Sequence, residues 1–257
     1  MEKIIDVTDL TFGYDERPIL KKINFDLNRG DFTGIIGPNG SGKSTFLKLL
    51  LGLLRPSGGS IYLFGMPIQD FRQWPNIGYV AQGNKLQNGV PASVYEAISA
   101  NLYSQTGFLH MLSKQQKEKV QEVLKTVGLS DTIRSPVGNL SGGQQQRVHI
   151  ARVLVNDPEV LLMDEPASGM DTSSENAMYE LLHTLNKEKN ISIVMVTHDL
   201  TAVTAHADRL FCMGIGNMIE HNVSDGLDAE FLSELYGHNV HVHVHSDTRS
   251  GKGGRDT

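Results

Sequence analysis

The sequence predicts an α/β fold in which a mixed sheet is flanked by helices, accompanied by an antiparallel β subdomain and interrupted by an inserted α-helical subdomain. Three observations support this prediction. Apolar and polar residues alternate in the β-rich segment 4–36, helical patterning runs from about 84 to 156, and near-continuous apolar runs at 160–163 and 191–196 are typical of parallel strands buried on both faces. Strand-rich segments therefore lie on both sides of a helical segment in the sequence, and an α/β core with a helical insertion is the simplest architecture.

The N-terminal strands are predicted from the two-residue period of their apolar side chains. Ile23, Phe25 and Leu27 alternate with polar residues, which is typical of a half-buried strand. Antiparallel strands of this kind are expected to lead into a central glycine-rich loop. After that loop and its helix, a turn cluster precedes further strand candidates at 61–64 and 77–81.

The glycine-rich loop at residues 37–45 matches the pattern G-x-x-x-x-G-K-[ST]. In such a loop, backbone N–H groups close around phosphate oxygens, the lysine bridges the terminal phosphates and the following hydroxyl ligates Mg²⁺. An apolar run at 32–36 precedes the loop and a helical pattern at 45–50 follows it, so the positive end of a helix is expected to face the phosphates. The predicted phosphate contacts are Gly37, Pro38, Asn39, Gly40, Ser41, Gly42, Lys43, Ser44 and Thr45, with Ser44 on Mg²⁺.

Two adjacent carboxylates follow the apolar run at 160–163. Asp164 and Glu165 are predicted to lie where a buried strand reaches the nucleotide edge of the sheet. We expect Asp164 to hold Mg²⁺ through water, and Glu165 to orient and polarise the water that attacks the γ-phosphate. A surface acidic turn is the alternative, which the preceding apolar run disfavours. His198, after the strand that ends at Val196, is a candidate donor to the γ-phosphate, although a lone histidine there is more often a loop residue.

The helical segment contains three helix-start signals, one of which has the character of an anion site. S-x-x-E at 93–96 and S-x-x-Q at 113–116 predict capped helices. Residues 140–144, Leu-Ser-Gly-Gly-Gln, predict a capped helix start with small residues and open backbone donors. If this segment and the phosphate loop lie on separate lobes, the triphosphate of a partner subunit is its natural ligand.

Further motifs accompany those above, and in chain order the full set is Tyr14, the loop 37–45, Gln82, the signature 140–144, Asp164-Glu165, Ser168-Gly169-Met170-Asp171 and His198. In this order the motifs resemble those of the ATP-binding subunit of an ABC transporter, and the resemblance covers residues 1 to about 225. One departure is Ala81, where many metal-importer relatives have proline; we expect it to alter the stiffness of the loop rather than the chemistry.

The resemblance implies a head-to-tail homodimer with two shared ATP sites. Ser141 and Gly143 of one copy would reach the γ-phosphate held by Lys43 of the other, and Asp171 would communicate across the dimer. Tyr14 would stack on adenine; the alternative is that Tyr14 is an ordinary core or turn aromatic. The signature contacts with ATP are assigned to Ser141, Gly142, Gly143 and Gln144.

The resemblance also assigns roles within one subunit, with ATP and Mg²⁺ as the implied cofactors. Gln82 would sense Mg²⁺ and the attacking water while moving with a membrane partner. Residues 84–115 are expected to help form the docking groove for that partner. The implied catalytic set is Glu165, His198, Gln82 and Lys43, and the implied Mg²⁺ ligands are Ser44, Gln82 and Asp164.

Composition and spacing exclude several function classes. The 257 residues carry a formal net charge of −6, which argues against a general nucleic-acid binder. The nearest string to the N-K-x-D guanine clamp of a GTPase, at 186–189, lacks the aspartate. The coiled coil of DNA-repair relatives, the second cassette of translation-associated relatives and the fused membrane domain of many exporters have no counterpart here. A non-catalytic regulatory subunit is disfavoured because Lys43, Glu165 and His198 are intact.

The cellular setting follows from the same composition. Cys212 is the single cysteine, so no intrachain disulfide is possible and a reducing compartment fits. No apolar stretch approaches the roughly 20 residues that cross a bilayer, and the N-terminus lacks the apolar region of a secretory signal. We therefore expect an importer ATPase held at the cytoplasmic face of the membrane by separate permease subunits, with an extracytoplasmic metal-binding protein as an indirect partner.

The C-terminal segment suggests the cargo. The predicted ATPase domain is 1–230, and 231–257 is predicted to be a flexible, histidine-rich tail. Imidazole suits zinc and other borderline metals, and the ending resembles that of cassettes serving zinc importers, so zinc is the leading cargo. Manganese, another substrate and a soluble non-transport ABC ATPase remain alternatives, as does an ordinary solvated tail or expression remnant. The candidate Zn²⁺ ligands, for sensing or buffering, are His238, His241, His243 and His245.

Overall fold

The computed structural model describes residues 2–83, 92–105 and 111–221. The strands in chain order are β1 (Lys3–Phe12), β2 (Leu20–Asn28), β3 (Phe32–Ile36), β4 (Gly58–Leu63), β5 (Met66–Pro67), β6 (Ile77–Val80), β7 (Val160–Asp164), β8 (Ser192–Val196), β9 (Arg209–Met213) and β10 (Met218–His221). The α-helices are α1 (Lys43–Leu50), α2 (Val94–Ser99), α3 (Lys114–Thr126), α4 (Gly142–Leu154), α5 (Thr172–Lys189) and α6 (Leu200–His206). Short 3₁₀ turns occupy Trp74–Asn76, Ala100–Gln105, Ser130–Thr132 and Val137–Asn139.

The smaller sheet is antiparallel and has the strand order β2-β1-β4-β5. Val7 of β1 pairs with Phe25 on one side and with Ile61 on the other, so β1 is central. Alternate residues of β2 are buried, among them Ile23, Phe25 and Leu27. The predicted half-buried antiparallel strands are therefore confirmed.

The larger sheet is mixed and has the order β10-β9-β3-β8-β7-β6. Strands β3, β6, β7, β8 and β9 run parallel, and β10 is antiparallel to β9. Every residue of β3, β7 and β8 is buried, because elements cover both faces of the sheet. The predicted α/β class with a mixed sheet and an antiparallel subdomain is confirmed.

Two hydrophobic cores lie on opposite faces of the larger sheet. Met163 and Met195 point into a core shared with the helices α2 to α5. Leu162 and Val194, one residue earlier on each strand, point into a second core shared with α1 and the antiparallel sheet. The two-residue alternation of strand side chains thus joins both parts of the molecule to one sheet.

The helical segment starts its helices as the sequence predicts. The side chain of Ser93 caps α2 and that of Ser113 caps α3, each in a reciprocal capping box with the residue three positions later. Helix α3 turns Val120, Val123 and Leu124 into the core. Each cap satisfies backbone N–H groups that would otherwise have no partner in the first helical turn.

Some of the predicted boundaries lie outside the described residues. Residues 84–91 and 106–110 belong to the predicted helical subdomain and docking groove, and 222–257 contains the predicted domain end and tail; none of these is described. The boundaries near 84 and 230 therefore stay predictions. Within the part of the chain that is described, no helix is long and apolar enough to cross a membrane.

Candidate functional site

A cleft of about 830 Å³ opens at the carboxyl edge of the parallel strands. The strand register creates it, because Val80 of β6 pairs with Met163 of β7, and Asp164 pairs with Val196 of β8, so the segments that follow these strands emerge together. The cleft is lined by residues 37–40 and 42–45, Gln82, Asp164, Glu165, His198 and Ile19.

The phosphate loop has a backbone that its glycines make possible. Gly37, Gly40 and Gly42 have φ values of 155°, 80° and 104°. A Cβ at Gly37 would lie 2.1 Å from the backbone oxygen of Met213. Gly42 is also the N-cap of α1 and has no side chain to accept from the first-turn amides, so these donors stay available to an anion.

Lys43 brings a positive charge to the floor of the cleft. Its side chain is only 7% exposed, and Nζ donates to the backbone oxygens of Gly37 at 2.8 Å and Pro38 at 2.9 Å. Burial lowers the pKa of Lys43, while the nearby Glu165 and Asp164 carboxylates oppose that shift. A phosphate oxygen would offer this ammonium a charged acceptor, which makes a stronger hydrogen bond than a neutral carbonyl does.

Asp164 and Ser44 form an oxygen-rich corner of the cleft. Asp164 is 4% exposed at the end of β7 and is hydrogen-bonded to the Ser44 side chain. Burial raises the pKa of Asp164, and the Ser44 hydrogen bond partly opposes this. A carboxylate, a hydroxyl and the nearby Gln82 amide are the hard oxygen donors that Mg²⁺ prefers alongside phosphate and water.

Glu165 stands between an amide and an imidazole. Its Oε2 accepts from the side-chain amide of Gln82, and its Oε1 lies 3.5 Å from Nδ1 of His198. The backbone of Glu165 is left-handed, with φ 49°, and its N–H donates to the oxygen of Val196 at 2.8 Å. Such a conformation is strained for a non-glycine residue and is common at functional sites, because the surrounding structure must enforce it.

Together these groups fit a Mg²⁺-bound nucleoside triphosphate. The ammonium of Lys43 and the open amides of α1 suit phosphate, and the Ser44–Asp164 corner suits the metal. The Oγ of Ser41 is buried and has no hydrogen-bond partner among the residues that the structure describes, which leaves one more polar group in the loop to be satisfied. The cleft is therefore chemically matched to the ligand that the loop motif predicts.

The structure places Tyr14 outside the lining of this cleft. Its side chain is 58% exposed and packs edge-to-face on Phe12, with ring centroids 5.1 Å apart. Ile19, in the same β1–β2 connection, lines the cleft instead. No sequence signal marks an isolated isoleucine in a turn, so sequence reasoning missed it. Adenine stacking on Tyr14 stays a prediction.

The signature lies on the helical segment, apart from the cleft. Ser141 caps α4 in a capping box with Gln144, and none of residues 140–144 is among the residues that line the cleft. Asp171 caps α5 and accepts from the backbone N–H of Ser174 at 3.0 Å and from its Oγ at 2.7 Å. A Cβ built on Gly143 would lie 3.0 Å from Cβ of Ser174, so the signature and the Asp171 turn are neighbours.

The histidines predicted to bind zinc, His238, His241, His243 and His245, lie outside the described residues. Within residues 2–83, 92–105 and 111–221, no group of three or more His, Cys, Asp or Glu side chains is arranged to hold a metal ion. The oxygen-rich corner formed by Asp164 and Ser44 contains fewer than three such side chains, and it would need phosphate oxygens and water to complete a Mg²⁺ shell.

Comparison with known proteins identifies relatives along most of the chain. The profile of the family described as ABC transporter matches residues 20–168. The zinc uptake system ATP-binding protein ZurA of Listeria innocua serovar 6a is 42% identical over 242 residues, which cover 91% of this chain and 94% of that protein. The manganese transport system ATP-binding protein MntB of Bacillus subtilis is 33% identical over 233 residues, covering 91% and 92%. A solved dimeric post-hydrolysis ATP-binding cassette with bound ADP and phosphate matches with a TM-score of 0.71 at 28% identity, covering 86% of this chain and 99% of that one.

Proposed function

This chain belongs to the ABC transporter family as one of its ATP-binding, ATP-hydrolysing subunits, and from that premise we propose that it energises uptake of a divalent metal ion, zinc in first place, through separate membrane subunits. One observation above all supports hydrolysis in the cleft. Lys43, Asp164, Glu165, Gln82 and His198 come from distant parts of the chain and converge at one edge of the sheet. Positioning and charge stabilisation are what phosphoryl transfer requires of a protein.

Each of these residues has a task in the proposed reaction. Lys43 and the loop amides hold the terminal phosphates, and Ser44, Asp164 and Gln82 hold Mg²⁺. When bound, Mg²⁺ neutralises charge on the phosphate oxygens. Glu165 polarises the attacking water. The amide of Gln82 and the imidazole of His198 flank the carboxylate of Glu165 and fix its orientation.

We propose further that two copies pack head to tail. The signature of one copy then supplies donors that the partner's cleft lacks, with Ser141 to Gln144 at the partner's γ-phosphate and Asp171 communicating across the interface. The separation of residues 140–144 from the cleft supports this arrangement, because an exposed helix N-terminus with small residues suits an anion from another molecule. The dimeric state of the similar cassette bound to ADP and phosphate is consistent with it.

Zinc is proposed before manganese as the cargo. The relative named for zinc uptake is 42% identical to this chain and the relative named for manganese transport 33%, over nearly the same share of it. In this proposal the chain works at the cytoplasmic face of the membrane, and residues 84–115 contribute to docking. A soluble non-transport ABC ATPase is the competing function.

The decisive experiment measures ATPase activity of the full chain reconstituted with its membrane subunits, with and without binding proteins loaded with Zn²⁺ or Mn²⁺. Stimulation by the zinc-loaded protein alone supports the proposal, and stimulation by the manganese-loaded protein alone changes the cargo. Activity that no loaded protein alters would favour the non-transport alternative.

The catalytic assignment has its own test. Glu165→Gln should lower ATP turnover by about 100-fold or more, because the general base is lost while ATP binding is kept. It should also trap an ATP-bound dimer that size-exclusion chromatography detects. Glu180→Gln, at an exposed position of α5, is the matched control and should leave the ATP turnover and the oligomeric state of the wild type unchanged. Rapid turnover by Glu165→Gln would remove Glu165 as the principal catalytic carboxylate.

For the tail we propose that His238, His241, His243 and His245 bind Zn²⁺ as a sensor or buffer, since the alternating His-Val pattern suits a borderline metal. Titration calorimetry with Zn²⁺ should show heat with the full chain and a loss of that heat when the last three histidines become alanine. Equal binding by the two proteins would discard this role.

A further inference from the structure

A ring of four hydrogen-bonded residues connects helix α5 with the loop that carries His198. The hydroxyl of Tyr179 donates to Oε1 of Glu175 at 3.4 Å and is also hydrogen-bonded to the side chain of Thr197. The backbone N–H of Asp199 donates to Oγ1 of Thr197 at 3.0 Å. A hydrogen bond between the side chains of Glu175 and Asp199 closes the ring.

Two members of the ring are fully enclosed. Tyr179 is 3% exposed and Thr197 is 4% exposed, so their hydroxyls depend on each other and on Glu175 for hydrogen bonds. Two carboxyl groups can be hydrogen-bonded only when a proton lies between them. Burial, followed by the negative charge of Asp199, raises the pKa of Glu175.

The ring holds both neighbours of His198 in the chain. Thr197 precedes His198, and Asp199 follows it and also accepts from the N–H of Thr201 at the start of α6. The imidazole itself is 61% exposed, so packing contributes little to its placement. Its position 3.5 Å from Glu165 therefore depends on how firmly the flanking residues are held.

We propose that Glu175 is a positioning residue for ATP hydrolysis: by joining Asp199 and Tyr179 it fixes the Thr197–Asp199 loop and keeps His198 beside Glu165. This inference rests on the proposed hydrolysis of ATP in the cleft. Glu175 touches neither the cleft nor its ligand and acts only through His198. Because α5 begins at the Asp171 turn, the same side chain ties that turn to the position of His198.

The test compares Glu175→Ala with Glu175→Gln in the full chain. The amide of a glutamine can donate to Asp199 while its oxygen accepts from Tyr179, so the ring survives; alanine removes both bonds. We expect Glu175→Ala to lower kcat by about 10-fold while KM for ATP changes by less than about 2-fold, and Glu175→Gln to retain at least about half of the wild-type kcat. Tyr179→Phe keeps the packing of the aromatic side chain but removes its hydroxyl, and it should also lower kcat.

The control is Glu180→Ala, on an exposed position of the same helix, with all rates measured at one temperature after circular dichroism shows each variant folded. Equal kcat values for Glu175→Ala and Glu180→Ala, or equal losses in the alanine and glutamine variants of Glu175, would overturn the positioning role. The proposed function fails by a different result, namely wild-type protein without ATPase activity or a Glu165→Gln variant with full activity.

Discussion

The side-chain amide of Gln82 donates a hydrogen bond to Oε2 of Glu165, across 83 positions of sequence. Gln82 follows β6 and Glu165 follows β7, and these neighbouring strands run parallel, so their ends meet at the same edge of the sheet. Gln82 also stands just before residues 84–91, which lead to the helical segment.

Removing this amide should slow hydrolysis without preventing ATP binding. Gln82→Ala leaves Glu165 without one of its two orienting neighbours and removes a proposed Mg²⁺ ligand, and we expect kcat to fall by about 10-fold while the Kd of ATP measured without Mg²⁺ changes little. The measurements are steady-state ATPase rates and equilibrium binding of a fluorescent ATP analogue. Gln121→Ala, on the exposed face of α3, is the control and should match the wild type. An unchanged kcat in Gln82→Ala would show that the hydrogen bond between Gln82 and Glu165 does not contribute to catalysis.

The backbone at Gly37 should tolerate no side chain. Alanine there would place Cβ 2.1 Å from the backbone oxygen of Met213, and we expect Gly37→Ala to lower the free energy of unfolding by about 3 kcal/mol or more. Gly40→Ala meets no atom within 4 Å, so only the strain of φ 80° remains, about 1 kcal/mol. Urea denaturation of both variants measures the two losses in the free energy of unfolding and shows which is larger. A smaller loss at Gly37 than at Gly40 would contradict the close approach of β9 to the loop.

Local chemistry made the main features of the fold predictable from sequence. The loop 37–45 is contiguous, so its glycines, lysine and hydroxyls appear together in one string. The caps at Ser93, Ser113 and Ser141 depend on residues three positions apart, which a sequence displays directly. The buried strands β7 and β8 are indicated by unbroken apolar runs.

The features that sequence reasoning missed depend on contacts between distant segments. Ile19 lines the cleft because a turn of the antiparallel sheet approaches α1, and nothing in the residues around it indicates this. The contacts of Tyr179 with Thr197 and of Glu175 with Asp199 arise only when α5 packs beside the end of β8. Pairings of this kind require the tertiary arrangement, since no local period encodes them.

Arg209 should be one of the larger contributors to stability among the charged residues of the two sheets. Its side chain is 19% exposed, and its guanidinium lies 3.0 Å from Asp26 and 3.4 Å from Asp31 and pairs with Glu220 at 2.7 Å. Arg209→Met leaves these carboxylates without their shared partner, and we expect a loss of about 2 kcal/mol in the free energy of unfolding. Lys3→Met removes an exposed pair with Asp6 and should cost less than about 0.5 kcal/mol. Equal losses in urea denaturation would show that the Arg209 cluster is no stronger than an ordinary surface pair.

Ser141 and Ser113 give a matched pair for testing the signature. Each serine is the N-cap of a helix of thirteen residues, and each forms a capping box with a glutamine three positions later. Replacing either by alanine removes the same hydrogen bonds, so both variants should lose about 1 kcal/mol in the free energy of unfolding. Any difference between them in activity then reports something other than helix capping.

We expect Ser141→Ala to lose ATP-dependent dimerisation and most of its ATPase activity, because in the proposed head-to-tail dimer its hydroxyl and the adjacent amides would contact the triphosphate of the partner copy. Ser113→Ala should keep both properties, since its helix start has no such ligand. Light scattering with ATP in the Glu165→Gln background measures the dimer, and steady-state rates in the otherwise wild-type chain measure turnover. If the two alanine variants behave alike, or if a strictly monomeric preparation hydrolyses ATP at the full rate, the sharing of each site between two copies is refuted.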